Sequence, residues 1–318
     1  MRQAVKITRI FTPTDFSPAA EVACCLAARL ASHLKAGIVL FHAIPGMDLL
    51  GEMGRARGKT QVEVLEDLGG RLRGWFDAVV PAEFKGFLPV EVMVVVGEPN
   101  PVITPAAKRS GADLIVMATR GRSGLAHLLM GSVAETVLRS VPVPVLALRL
   151  GQGTRPLTVV RRILWATDLS PVSEEAWRYA LTLADVFAAE VVLMHVVPPG
   201  DLPWQDEQPV PTSGSWLEQY LAPLDRELEL RQRAVEEQGL IARRKILVGV
   251  PAEAIVAEAR AEEADLIIVG TRGRSGLPHV LLGSVAAAVI RKAPCPVLAV
   301  KVKPNGEVRK EDTHKAVA

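Results

Sequence analysis

A duplication constrains the fold of this chain more than any other feature of its sequence. The segment ATRGRSGLAHLLMGSV at 118–133 returns as GTRGRSGLPHVLLGSV at 270–285, and 20 of 30 positions are identical between 119–148 and 271–300. Asp15 in IFTPTDFSP and Asp168 in ILWATDLSP are separated by 168 − 15 = 153 residues. Solenoid repeats have periods of about 20 to 50 residues. The longer period predicts that each copy is a complete domain.

The length agrees with two domains, since 318 residues exceed the roughly 100 to 200 residues of a typical domain. We predict a first domain over 1–150 and a second over 158–303, joined by a Gly- and Pro-containing linker at about 149–161. The polar segment 304–318 has little to pack, and we expect it to be disordered.

Each copy contains five short apolar runs, in the first copy ITRIFTPT, AGIVLFHAI, PVEVMVVVG, ADLIVMAT and PVPVLAL. Continuous Val, Ile and Leu runs indicate strands buried on both faces. Helical patterns alternate with them, as after Ser17 and Pro18, which have the residue types of an N-cap and a first helical position. The alternation predicts an α/β fold of two tandem doubly wound domains, each with a parallel sheet and helices on both faces.

Composition excludes several classes of partner. The net charge is +2 with no basic stripe, so nucleic acid is not expected as a partner. No apolar stretch reaches the roughly 18 residues of a membrane span, and the first residues lack the apolar core of a signal peptide. Three cysteines without metal-ligand spacing favour a reducing compartment. We therefore expect a cytoplasmic protein with no membrane partner.

The repeated glycines indicate a phosphate site. In the second copy the strand ADLIIVG leads into Gly270 and Gly273, and Gly283-Ser284 follow. Main-chain N–H groups and a helix N-terminus at the carboxyl end of a strand favour an anion. A simple tight turn is the alternative. The nearest approach to the Lys-containing phosphate loop, Gly54-x3-Gly58-Lys59-Thr60, is one residue short, and no GxGxxG follows either first strand.

An aspartate ends the first strand of each copy. Asp15 and Asp168 should therefore lie at the carboxyl edge of the sheet, where a carboxylate can accept hydrogen bonds from a ribose hydroxyl or an adenine amino group. A local role is the alternative, because an Asp before Ser-Pro can cap the following helix. The two roles are compatible.

Taken together, the aspartate and Gly270-x2-Gly273-x9-Gly283-Ser284 resemble the ATP-binding signature of the universal stress protein family, over almost the whole chain. The resemblance implies five strands in the order 3-2-1-4-5 and a cofactor pair of ATP and a divalent ion, Mg held by the phosphates and not by side chains. It also implies a role in stress response. One position departs from the signature: Ala118 stands where the first glycine is expected, so that its methyl group either narrows the approach of the phosphates or is absorbed by a small backbone shift.

The resemblance also implies which residues contact the nucleotide. Asp168 would contact the adenosine, Val196 and Val269 the adenine pocket, and the glycines and serine the phosphates. The implied nucleotide-binding positions of the first copy are Pro13, Thr14, Asp15, Ala43, Met117, Ala118, Gly121, Arg122, Gly131, Ser132 and Val133. Those of the second copy are Ala166, Thr167, Asp168, Val196, Val269, Gly270, Gly273, Arg274, Gly283, Ser284 and Val285.

Other residues near these motifs are weaker candidates for contacts with the nucleotide. The arginines of each glycine loop either balance phosphate charge or are solvated; they are Arg120, Arg122, Arg272 and Arg274. His127 and His279 are interpreted as surface positions with phosphate contact as the alternative, and His42 and His195 as packed core histidines. The pair Cys24-Cys25 falls on a helix that should bury at least one thiol, which disfavours a redox role.

We expect a nucleotide-dependent sensor or scaffold that binds ATP and is not an enzyme, because no complete catalytic phosphate motif is present. The alternatives are a slow ATPase or phosphotransferase whose domains cooperate across their interface, and a scaffold that binds no nucleotide in one or both domains. Segments 45–60 and 198–215 are interpreted as loops that respond to occupancy. The fifth strands would be sheet edges that pair with each other, as an internal pseudo-dimer, or with a second chain, as a homodimer.

Overall fold

The computed structural model describes residues 4–86, 88–120, 130–150, 160–202, 215–271 and 282–301, with only the backbone for 47–49 and 215. The first domain has the strands β1 (Arg9–Pro13), β2 (Gly37–Ile44), β3 (Val90–Val96), β4 (Leu114–Ala118) and β5 (Val145–Leu148). Its helices are α1 (Pro18–Leu34), α2 (Met47–Arg57), α3 (Gln61–Val79), α4 (Pro99–Arg109) and α5 (Ser132–Ser140).

The second domain repeats this order with one helix fewer among the described residues. Its strands are β6 (Arg162–Thr167), β7 (Glu190–Val197), β8 (Ala242–Val248), β9 (Leu266–Gly270) and β10 (Val297–Val300). Its helices are α6 (Pro171–Phe187), α7 (Ser215–Glu236), α8 (Pro251–Ala261) and α9 (Ser284–Lys292).

All ten strands form one sheet in the order β3-β2-β1-β4-β5-β10-β9-β6-β7-β8. Strands within each half are parallel, in the order 3-2-1-4-5. The central strands β1 and β6 are almost fully buried, as continuous apolar runs predict for strands covered by helices on both faces. The predicted α/β class and strand order are confirmed.

The first helix of each domain begins as its sequence predicts. The Ser17 side chain accepts a hydrogen bond from the Ala20 N–H, and Pro18 occupies the first helical position. Ser170 and Pro171 repeat this arrangement in α6. Such a cap contributes about 1 kcal/mol to helix stability. It also fixes where the chain leaves β1 and β6, which positions the turn that carries Asp15 and Asp168.

Two apolar layers hold the helices on the sheet, and each runs through both domains. One contains residues of α1 and α6, with Trp165 and Trp177 packed at a ring distance of 4.7 Å. The other, which includes Phe41 and Met194, contains residues of α4, α5, α8 and α9. The first and second domains therefore share their cores across the junction.

The junction is an antiparallel pairing of the two fifth strands, with Ala147 opposite Val297. Two reciprocal hydrogen bonds flank it: Arg149 Nη1 donates to the Arg291 carbonyl at 2.7 Å, and Lys301 Nζ donates to the Val141 carbonyl at 2.7 Å. Of the two arrangements left open by the sequence, the structure has the internal pseudo-dimer. Because β5 and β10 run in opposite directions, the carboxyl ends of the two sets of strands lie at opposite edges of the sheet.

One predicted loop is a helix. Residues 45–60 were expected to form a responsive loop, but most of them belong to α2, because buried Leu50 packs with Ile44 and Val64. The glycines and threonine of the incomplete phosphate-loop pattern at 54–60 mark helix ends. Gly58 ends α2, and Thr60 forms a capping box with Glu63 at the start of α3. Of the other predicted loop, a short 3-10 helix at Pro199–Asp201 is described, and 203–214 lie outside the described residues.

The predicted linker and tail fall largely on residues that the structure does not describe, namely 151–159 and 302–318. Val160, at the end of the predicted linker, is buried. Within the described ranges, no helix combines the length and apolarity needed to cross a membrane.

Candidate functional site

A strained turn places one aspartate at the carboxyl edge of each half of the sheet. The residues that follow them, Phe16 and Leu169, have φ of +61° and +62°, a conformation that costs a non-glycine residue about 1 kcal/mol or more. Asp168 Oδ1 accepts hydrogen bonds from the Ser170 N–H at 3.1 Å and the Ser173 hydroxyl at 2.6 Å. Asp15 Oδ1 accepts from the Ser17 N–H at 3.1 Å.

These contacts distinguish the two roles considered for the aspartates. The serines cap the helices, whereas each aspartate closes the turn before its helix through one oxygen. The aspartates therefore have a local role, but as the acceptors that close these turns and not as the N-caps of the helices. It also orients the carboxylate over the cleft that Asp15 or Asp168 lines, so that the turn and a ligand contact are compatible.

The Gly-Ser pair that ends each motif, Gly131-Ser132 or Gly283-Ser284, begins a helix at the same edge of its sheet half. Gly283 N–H donates to the Thr271 carbonyl at 2.6 Å, and Gly131 N–H donates to the Thr119 carbonyl at 2.8 Å. These glycines are the N-caps of α9 and α5, and among the described residues no side chain caps either helix. The first N–H groups at Ser132 and Ser284 therefore face a cleft with the partial positive charge of a helix N-terminus, which favours an anion.

The second cleft has a volume of about 530 Å³. Its walls come from the ends of β6, β7 and β9, the start of α9, and α7. Nine of the predicted positions line it: Ala166, Thr167, Asp168, Val196, Val269, Gly270, Gly283, Ser284 and Val285. The structure thus brings together residues more than 100 positions apart in the sequence. Their role in binding nucleotide stays a prediction.

The first cleft has the same construction and a volume of about 310 Å³. The predicted positions that line it are Pro13, Thr14, Asp15, Ala43, Met117, Ala118, Gly131, Ser132 and Val133. Phe41 stands at the position of Met194 in the second cleft. The second cleft also extends to Asp201, Tyr220 and Leu224. Both volumes fall in the range of about 300 to 1,000 Å³ that is usual for small-molecule sites.

Some predicted positions fall outside the described residues. They are Gly121, Arg122, His127, Arg272, Gly273, Arg274 and His279. Of the loop arginines, the structure describes Arg120, which lines the first cleft.

The sequence interpretation missed several residues of the second cleft, and three of them, Ser173, Tyr220 and Thr271, carry hydroxyl groups. Ser173 hydrogen-bonds to Asp168, and the Tyr220 hydroxyl donates to the Asp201 carbonyl at 2.9 Å. Thr271 is 1% exposed, and its hydroxyl has no hydrogen-bond partner in the described structure. Thr271 could have been identified because the duplicated segment repeats it as Thr119 at the end of the fourth strand. Tyr220 had no such signal, because it lies far along the chain on α7.

Of the two histidines that end the second strands, His195 is buried as predicted and His42 is half-buried; both line the clefts. His195 Nδ1 donates to the Thr167 carbonyl at 2.7 Å, and His42 Nδ1 donates to the Thr14 carbonyl at 2.8 Å. These bonds fix the carbonyl groups just before the aspartates. Through these hydrogen bonds the histidines hold the backbone at the start of each aspartate turn.

The structure shows how Ala118 is accommodated at the position where the signature has glycine. A Cβ at the equivalent Gly270 would lie 3.1 Å from Val172 Cγ1 and 3.3 Å from the Ser173 nitrogen, so that this position faces the first helix. Ala118 packs against the apolar layer that contains α1, and the residue equivalent to Val172 is Ala19. The smaller neighbour makes room for the methyl group on the helix side.

Gly270→Ala is expected to destabilise the protein by about 1 to 3 kcal/mol, because the new methyl group overpacks against α6. Adding Val172→Ala should recover part of the loss, since the pair then matches Ala118 and Ala19. Urea unfolding of the single and double variants measures both effects. A double variant no more stable than Gly270→Ala would contradict this packing. In parallel, Ala118→Gly is expected to leave ATP affinity unchanged.

The vicinal cysteines lie in an environment that suppresses thiolate formation. Burial raises the pKa of Cys24 to about 12. Burial, and next the charge of Glu21, raise the pKa of Cys25 as well, and its thiol donates to the Val79 carbonyl at 3.2 Å. Because the thiolate is the reactive form, these contacts disfavour a redox pair.

Thiol labelling tests this environment. At pH 8 Cys24 should be almost entirely in its unreactive thiol form, because burial raises its pKa to about 12. The native protein should therefore react with a disulfide reagent slowly and mainly at half-buried Cys25, and all three cysteines should react after denaturation. Rapid release of two equivalents from the native protein would contradict the structure.

Comparison with known proteins covers most of the chain. The sequence profile of the Universal stress protein family matches residues 6–149 and 160–301. A universal stress protein of Methanocaldococcus jannaschii is 41% identical over 153 residues, which are 46% of this chain and 85% of that protein. One of Mycobacterium bovis is 30% identical over 206 residues, 64% of this chain and 66% of that protein. The crystal structure of a universal stress protein from Archaeoglobus fulgidus matches with a TM-score of 0.66 and 23% identity, over 93% of this chain and 99% of that one.

Proposed function

The chain belongs to the universal stress protein family, and we propose that it binds one adenine nucleotide, ATP, in each of its two clefts. Binding would serve a nucleotide-dependent sensor or scaffold in the stress response, in the cytoplasm, where its three free cysteines would stay reduced. A homodimer built on the internal pseudo-dimer is part of this proposal.

One observation carries the proposal: a carboxylate and an uncapped helix N-terminus meet across a single cleft. In the second domain, Asp168 and Gly283-Ser284 line the same cleft as the apolar Val196 and Val269, and Asp168 follows β6, which lies between the strands of the two valines. The carboxylate suits the hydroxyl and amino donors of adenosine, the apolar walls suit the base, and the helix N-terminus suits phosphates. Adenine nucleotides combine these three chemistries, with the ribose between the base and the phosphates.

The proposal includes Mg²⁺ bound to the phosphates. The part of the chain that the structure describes holds no group of three or more His, Cys, Asp or Glu side chains suited to a metal ion. Phosphate oxygens and water are the ligands that Mg²⁺ usually takes beside one or two carboxylates. The ion would neutralise charge on the phosphate tail beside Ser284 or Ser132.

The opposite orientation of the two domains supports a binding module over an enzyme with a composite centre. Since the carboxyl ends of their strands lie at opposite edges of the sheet, the two clefts do not face each other. An ATPase or phosphotransferase would have to work within one cleft. Because the sequence contains no complete catalytic phosphate motif, we propose that any hydrolysis is slow and that occupancy is the signal.

Denaturing the purified protein and identifying the released small molecules tests the proposal directly. We expect adenine nucleotide in the supernatant, or ATP uptake by nucleotide-free protein. The steady-state rate of phosphate release then distinguishes a binding module from an ATPase. A rate that is proportional to the protein concentration and is lost in the Gly273→Val variant would favour the ATPase. Protein that carries no nucleotide and takes up none would favour the scaffold that binds no nucleotide.

A further inference from the structure

The second cleft differs from the first by an extension at one end. Apart from Arg120, whose equivalent Arg272 is not among the described residues, every residue that lines the first cleft has an equivalent 152 or 153 positions later that lines the second. The volumes of the two clefts differ by about 530 − 310 = 220 Å³. The additional volume lies beside six further residues, which we call the α7 pocket: Val197, Pro198, Asp201, Tyr220, Pro223 and Leu224.

Helix α7 presents one of its faces to this pocket. Tyr220 and Leu224 are four residues apart, so their side chains lie on neighbouring turns of the same face. Leu228, one turn further along, is fully buried in the apolar layer that also contains residues of α6. Burial of Leu228 therefore sets the rotation of α7, and the half-buried Tyr220 and Leu224 reach the cleft from the preceding turns.

Polar contacts hold α7 against the rest of the second domain. The Tyr220 hydroxyl donates to the Asp201 carbonyl at 2.9 Å, which joins α7 to the 3-10 helix at Pro199–Asp201. Arg244 Nε of β8 donates to Asp225 Oδ1 of α7 at 2.7 Å. Because these contacts are present without a ligand, the walls of the α7 pocket are preformed, as is usual for small-molecule sites.

The first domain fills the corresponding space with its own core. Ile44, the equivalent of Val197, is buried and packs with Leu50 of α2 and Val64 of α3. None of the residues described in α2 and α3 lines the first cleft. This apolar cluster therefore takes the place of the α7 pocket, and the first cleft ends where the second continues.

The α7 pocket and the helix N-terminus of the second cleft lie on different sides of β6. Gly283 is bonded to the Thr271 carbonyl just after β9, whereas Val197 ends β7 and α7 packs on β7 and β8. The strand order β9-β6-β7-β8 separates the two. A nucleotide whose phosphates lie at Gly283 therefore directs its base towards the α7 pocket. The exocyclic amino group of adenine lies on the side of the base remote from the ribose, so that a substituent on it would enter this pocket.

The chemistry of the α7 pocket suits an apolar ring. Four of its six side chains are aliphatic, and the other two are the ring of Tyr220 and the carboxylate of Asp201. An apolar cavity of about 150 Å³ is large enough to bind benzene, and the α7 pocket adds about 220 Å³ to the second cleft.

We propose that the α7 pocket is a subsite for an apolar ring attached to the exocyclic amino group of an adenine nucleotide. The second cleft thereby accepts nucleotides with such a substituent, and the first cleft accepts only the unsubstituted base. Tyr220 and Leu224 are the residues that determine this difference. The inference rests on the proposed function, since the nucleotide must occupy the cleft for its substituent to reach the pocket.

The test uses N6-benzyl-ATP as the probe and measures each cleft separately. Val133 and Val285 line the first and second clefts at the first turns of α5 and α9, so that Val133→Trp leaves only the second cleft open and Val285→Trp only the first. In calorimetry the Val133→Trp protein should bind N6-benzyl-ATP at least as tightly as ATP. The Val285→Trp protein should bind it about 10-fold or more weakly than ATP, because the benzyl group overpacks the closed end of the first cleft.

Filling the pocket provides a second measurement. In the Val133→Trp protein, Leu224→Trp should weaken binding of N6-benzyl-ATP about 10-fold, since the indole competes with the benzyl group for the same space. ATP affinity should change less than about twofold, because ATP leaves the pocket empty. Leu230→Trp is the matched control, since Leu230 lies on the same helix and is 61% exposed; it should change neither affinity.

Three results would overturn the inference. Both clefts could show the same preference between ATP and N6-benzyl-ATP, or Leu224→Trp could weaken the two nucleotides equally in folded protein; either result would reject the subsite and leave ATP binding standing. A Val133→Trp protein that binds neither nucleotide while folded, as thermal unfolding reports, would reject the proposed function of the second cleft and this inference together.

Discussion

Val285→Trp is expected to remove one of two ATP-binding events per chain. Val285 is 37% exposed and lines the second cleft at the first turn of α9. An indole there would occupy the space above Gly283-Ser284 without entering the packed core. ATP affinity at that cleft should fall by at least about 100-fold, which corresponds to a loss of about 2.7 kcal/mol. Titration calorimetry should then show one site in place of two.

The matched variant Val133→Trp makes the same change in the first cleft. It should also leave one site, with the affinity of the second cleft, and the double variant should bind none. Two sites retained in either single variant, with an unchanged melting temperature, would place the nucleotide somewhere other than these clefts.

Asp168→Ala is expected to produce the second large effect. In the Val133→Trp protein it should weaken ATP binding about 10- to 100-fold, since hydrogen bonds to a charged group contribute about 1.5 to 3 kcal/mol each. It should also lower stability, because the Ser170 N–H and the Ser173 hydroxyl lose their acceptor.

Asp168→Asn separates the turn from the ligand contact. Its side-chain oxygen can keep the acceptor for Ser170 and Ser173, so that urea unfolding should change little. It loses the charge and one acceptor position, and ATP affinity should still fall about 10-fold, or 1.4 kcal/mol. If Asn binds ATP as the parent does and Ala reduces only stability, Asp168 has the turn role alone.

The strands and the first helices could be predicted because their signals are local. Apolar runs such as that of β2 are buried along almost their whole length, and a Ser-Pro pair fixes the start of α1 and α6. The cleft could be predicted because parallel strands bring their carboxyl ends to one edge of the sheet. That Asp168 and Gly270 are neighbours at this edge followed from the strand order that the family resemblance implies.

Helix α2 could not be predicted from local sequence, because packing against the rest of the domain stabilises it and not its own helix propensity. Its segment contains Gly51 and Gly54, which have low helix propensity. A Cβ at Gly54 would lie 2.7 Å from the Lys59 carbonyl oxygen, so the glycine serves close packing where the chain turns into α3. Buried Leu50 supplies the packing that overrides the weak propensity.

Tyr220 was hidden for a similar reason. It carries no motif, and only the packing of α7 brings it to the second cleft.

Equilibrium dialysis of nucleotide-free protein against radiolabelled ATP and Mg²⁺ tests the central claim most directly. We predict saturation at two ATP per chain, with both sites displaced by unlabelled ATP. Saturation near zero in folded protein would contradict the claim that the aspartate turns and helix N-termini of the two clefts together bind an adenine nucleotide.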